Sequence, residues 1–128
     1  MRLIQIAAFL FSIVIFSSCG ERTCADVKFG KFHIADYGHE HIIIEREGNV
    51  QYEYSEKEGF KHEYRVIWED DCHYKLVFKE STNPELLGIT EQDTFHVSVE
   101  SVNEDGYQYR GIIGEKEFVG HIKEFKNN

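Results

Sequence analysis

The chain has 128 residues, 41% of them hydrophobic and 29% charged, with a formal net charge of −9. That length accommodates one domain and excludes a multi-domain machine, and an acidic balance of 23 Asp and Glu against 14 Lys and Arg argues against nucleic-acid binding. One proline, 10 glycines and 14% aromatic residues suit a compact, turn-rich domain rather than a disordered linker.

The first predicted element is an export signal: a basic start at Met1 and Arg2, then an apolar run over residues 3–16. As a helix that run would span only about 21 Å, too short for a bilayer core of roughly 30 Å. It closes on Ser17, Ser18, Cys19 and Gly20, which resembles the lipobox of bacterial lipoproteins, with Phe16 standing where an aliphatic residue is usual. The resemblance implies a signal peptide over 1–18, acylation of Cys19, a lipidated N-terminus and short linker over 19–26, and a single β domain over 27–125. It further implies a cell-envelope location, lipid-anchored to the outer membrane, with the membrane as partner through the anchor. The competing reading is an ordinary secretory peptide cut nearby, leaving Cys19 free.

Cys24 and Cys72 are then an even pair in an oxidising compartment, which favours a disulfide between them over a reactive thiol or a metal site. Closing a loop of about 49 residues would stabilise the fold by about 4 kcal/mol on chain-entropy grounds.

From Val27 onward the dominant pattern is alternation of apolar and polar residues, the period of half-buried strands. In chain order the predicted strands cover 27–34, 41–46, 50–54, 62–68, 74–78, 95–100, 107–112 and 118–122. Gly30 reads as a bulge that lets Phe29 and Phe32 both point inward. Turns fall at Gly48-Asn49, at 56–59, at Asp70-Asp71 and at 104–106, and the irregular stretch 80–92 around Pro84 has room for one brief helical turn. About eight strands joined by short connections, after an N-terminal signal helix, predict an all-β antiparallel meander rolled into a small barrel or half-barrel. A sandwich is the alternative, but its crossovers need longer connections.

The residues from Cys24 to Phe32 (Cys-Ala-Asp-Val-Lys-Phe-Gly-Lys-Phe), the Gln51-Tyr52-Glu53 element, and the stretch from Trp68 to Leu76 (Trp-Glu-Asp-Asp-Cys-His-Tyr-Lys-Leu) resemble a family of small bacterial lipoproteins. The resemblance covers most of residues 19–125, and the Trp-x-x-x-Cys-x-Tyr-x-Leu segment is its most specific part. Its members have no assigned activity. The paired cysteines recur in that family, which implies the bridge. Some relatives bear the name topoisomerase IV; an acidic exported domain of this size has no room for a DNA gate and the wrong charge for DNA.

Three constellations can carry function. His39 and His41, two apart on a strand, would face the same side and could chelate a metal with a third ligand from His33, His62 or His96. Phe32, Tyr52, Tyr64, Trp68, Phe95 and Tyr109 would line an apolar pocket if the barrel interior is not filled. The carboxylates Glu45, Glu47, Glu53, Glu56, Glu58, Glu63, Glu69, Asp70 and Asp71 could pair for hydrolysis, but solvation is their default. No nucleophile elbow, P-loop or dinucleotide fingerprint is present. The sequence therefore reads as a non-enzymatic binding or structural module for a small ligand or envelope protein, without a cofactor. A metal-binding protein built on the His-Glu-His segment is the alternative.

Overall fold

The computed structural model describes residues 21–87 and 92–126. The expected signal peptide and Cys19 lie outside the described residues.

Eight antiparallel strands close into a barrel in simple sequence order: β1 (Gly30–Ile34), β2 (Ile43–Glu47), β3 (Val50–Ser55), β4 (Phe60–Asp70), β5 (His73–Ser81), β6 (Thr94–Val102), β7 (Gly106–Ile113) and β8 (Lys116–Glu124). Closure comes from β1 pairing with β8, where Phe32 faces Glu124 and Ile34 faces Ile122, so neither strand keeps a free edge. Of the two shapes expected, barrel or half-barrel, the closed one is formed. The predicted turns fall between strands as anticipated; at the β2–β3 hairpin Gly48 supplies a φ of 56°, a backbone conformation that side chains other than glycine resist. The helical turn near Pro84 is a 3-10 turn over Pro84–Leu86.

Among the described residues the interior has a closed end and an open one. In an antiparallel meander alternate turns share an end, so the β2–β3, β4–β5 and β6–β7 turns lie together. That end is plugged by the 3-10 turn Cys24–Val27, whose Val27 is fully buried. Cys24 is disulfide-bonded to Cys72 in the β4–β5 turn, and Lys28 Nζ reaches Asp71 at 3.0 Å. The core above the plug is built from inward positions of successive strands: Phe32, Ile44, Tyr64, Val66, Tyr74, Leu76, Val97, Val99, Tyr107 and Ile122.

Two expectations need correction. Gly30 is no bulge: the β1–β2 register runs without a break, Phe32 points inward, and Phe29 points out, half-exposed and edge-on to Trp68 at 5.8 Å. The register shifts occur instead between β4 and β5, at Glu63/Tyr64 and Trp68/Asp70, and between β6 and β7, at Val99/Ser101. The faces of β3 are also the reverse of what its aromatic residues suggest. Gln51 and Ser55 are buried inside, whereas Tyr52 and Tyr54 lie on the outer wall, where the Lys61 ammonium sits 4.4 Å from the Tyr52 ring centre and Tyr54 Oη donates to Glu45 at 2.9 Å.

Because the bridge ties the plug to the barrel, the Cys24→Ser/Cys72→Ser double variant should lose about 4 kcal/mol of unfolding free energy in denaturant titrations. A loss below about 1 kcal/mol would mean that the noncovalent contacts of the plug, Val27 packing and the hydrogen bonds to its carbonyls among them, hold it without the bridge.

Candidate functional site

Arg46 is the buried cation at the floor of the barrel. Strand alternation after Ile42 and Ile44 points it inward, where its exposure is 3%. A guanidinium has five N–H donors, and each finds an acceptor here. Nε donates to Gln51 Oε1 at 2.9 Å; Nη1 to the carbonyls of Val27 at 3.1 Å and Lys28 at 3.0 Å; Nη2 to the phenol oxygens of Tyr74 at 3.0 Å and Tyr107 at 2.8 Å. The rings of Tyr74, Phe32, Trp68 and Tyr107 surround it at 4.7–5.9 Å from their centres. Charge-assisted bonds and π faces replace the lost hydration, with no carboxylate needed.

Above this floor the interior is not filled. A cavity of about 290 Å³ is bounded by Arg46, Gln51, Tyr74 and Tyr107 below, by Ile44, Leu76, Val97 and Ile122 around its waist, and by Ile34, Glu53, Tyr64, Phe95, Tyr109, Ile113 and Phe118 toward the open end. Gly111 shapes one wall, because a Cβ there would lie 2.1 Å from Cζ of Phe95; only glycine lets that ring lie flat against β7.

Glu53 is the carboxylate of the lining. It stands on β3 between Ile44 of β2 and His62 of β4, and among the described residues no hydrogen bond or ion pair engages it. Desolvation pushes its pKa up to about 7. Burial, reinforced by the nearby Glu53 charge, raises Tyr64 and takes Tyr109 up to about 12, so both phenols remain neutral donors at physiological pH. His62 lies beside this group, stacked on Phe60 at 4.4 Å with Nδ1 2.7 Å from Ser81 Oγ; burial lowers its pKa.

Of the six rings expected in a pocket, Tyr64, Phe95 and Tyr109 line it. Phe32 lies beneath the floor, edge-on to Tyr107 at 5.7 Å, and Trp68 packs against Tyr74 at 4.9 Å near the plug. Tyr52 is on the outer wall, because the β2–β3 register sets Gln51 opposite Arg46 and Glu53 opposite Ile44, which turns the residue between them outward. Cys24 and Cys72 form the expected bridge. His39 and His41 sit in the turn between β1 and β2, not on a strand, so alternation does not align them. His39 is exposed, and His41 Nε2 lies 3.0 Å from Glu58 Oε1 without hydrogen-bond alignment. Among the described residues no three metal-ligating side chains converge. Paired-carboxylate hydrolysis needs two facing acids, and the described lining holds Glu53 alone.

The residues that sequence reading missed are Arg46, Gln51 as its orienting partner, and Tyr74 and Tyr107 as its acceptors. A signal existed: with Ile42 and Ile44 inward, period-2 alternation carries Arg46 to the same face. No protein-family model, curated protein or solved structure matches the chain.

Arg46→Met removes five bonds and strands buried acceptors, so unfolding free energy should fall by about 3–5 kcal/mol; Arg46→Lys should not restore it, since one ammonium cannot reach five acceptors. Glu53 acts in the opposite sense. Its folded pKa of about 7 exceeds the ordinary 4.5, so the folded state holds more protons between those values and stability falls as pH rises through that window. Glu53→Gln should therefore match the parent at pH 4 and exceed it at pH 8 by about 1–3 kcal/mol, read from denaturant unfolding at the two pH values.

Proposed function

We propose that the protein is a lipid-anchored cell-envelope binding module that holds a small, largely apolar molecule in the barrel interior. The cavity above Arg46 carries this reading. A domain of this size needs nearly every apolar side chain for its core, yet this one leaves about 290 Å³ unfilled and lines it with rings. At roughly 30 Å³ per water that space equals about ten waters, enough for a single fused-ring body and near the lower end of known ligand pockets. The lipobox-like segment and the disulfide, at home in an oxidising compartment, support the envelope location. The resemblance to small bacterial lipoproteins agrees with it.

Titrating the full-length chain with indole, a neutral ring of suitable size, should shift the backbone amide signals of Leu76, Val97 and Tyr109. Leu76→Trp, which fills the space, should abolish those shifts; Gly111→Ala, which drives the Phe95 ring inward, serves should the first variant fail to fold. Shifts confined to the outer wall, or none at millimolar indole, would overturn the reading. Recovery of Met1 on the polypeptide extracted from its native membrane would overturn the anchor.

A further inference from the structure

We propose that the interior site, taken as the ligand site just described, selects organic amines: a protonated nitrogen on a ring-sized apolar body, with Glu53 as its counter-ion. The inference comes from which charged group in the cavity still has bonding capacity. Arg46 is the cation of the lining, and a barrel with an arginine at its floor would ordinarily suggest a carboxylate ligand. Here all five of its N–H groups are used by Gln51, two carbonyls and two phenols. A carboxylate could reach it only by displacing bonds that hold the plug and the floor together.

Glu53 is the opposite case. It lines the same cavity, is desolvated by the fold, and among the described residues has no hydrogen bond or ion pair. A carboxylate partly desolvated by the fold gains more from an arriving ammonium than one in water, because part of its dehydration has already been met by folding. The surroundings favour the same sign. Tyr64, Tyr109, Phe95 and Phe118 border the cavity with Glu53, and their π faces attract a cation and not an anion. The chain's net charge of −9 draws cations toward the domain as well.

Three probes that share one ring system separate the possibilities: tryptamine as cation, 3-ethylindole as neutral analogue and indole-3-acetate as anion. Calorimetric titration of the full-length chain at pH 8, where Glu53 is ionised, should give tryptamine an affinity about tenfold or more above both others. Glu53→Gln, which keeps the size and should fold more stably, should cut tryptamine affinity about tenfold and leave 3-ethylindole unchanged. Indole-3-acetate binding as tightly as tryptamine, or tryptamine affinity unmoved by Glu53→Gln, would overturn the amine assignment while leaving the cavity a ligand site. Failure of 3-ethylindole and tryptamine alike at millimolar concentration would overturn both.

Discussion

A guanidinium that, among the described residues, bonds to no carboxylate organises the barrel. Arg46 leaves β2, crosses the floor and joins three parts of the chain distant in sequence: the plug through the carbonyls of Val27 and Lys28, β3 through Gln51, and the far wall through Tyr74 and Tyr107. An aliphatic side chain would pack there without specifying direction. Five directed bonds fix which strand lies opposite which, and they seal one end of the barrel. The hollow in the other half exists because the floor is held by polar contacts of fixed length instead of by apolar side chains free to collapse upward.

The strands and turns were legible in the sequence for a simple reason. Alternation reports a strand that is wet on one side, and Gly48-Asn49, Gly59 and Gly106 mark where such strands reverse. What misled was chemistry used as a guide to direction. Tyr52 and Tyr54 look like core residues, and Gln51 and Glu53 like surface ones. The β2–β3 hairpin decides otherwise: its two-residue turn pairs Glu47 with Val50, which sets Gln51 opposite Arg46 and Glu53 opposite Ile44. Once Ile44 is inside, so is Glu53. The register was therefore readable from the turn, and hydrophobicity alone pointed the wrong way because the interior of this barrel is partly polar.

The candidate site was legible only in part. Tyr64, Phe95 and Tyr109 follow from alternation, but Trp68 and Phe32 lie on inward positions at the wrong height, next to the plug. Depth along the barrel axis depends on the stagger between strands, which single-strand periodicity does not encode. The two histidines illustrate a different limit. His39 and His41 have the spacing of a strand-face chelate, yet β2 starts at Ile43, so the spacing carries no geometry.

The disulfide sits at the sealed end, and that has a directional consequence. Cys24 is clamped beneath the floor, five residues from position 19, a stretch that can reach at most about 17 Å. If fatty acids are attached there, the polypeptide rises from the bilayer base-first, like a cup standing on its foot. On the proposed anchoring and binding reading, the mouth would look away from the lipid, and a ligand would come and go from solution without passing through the membrane.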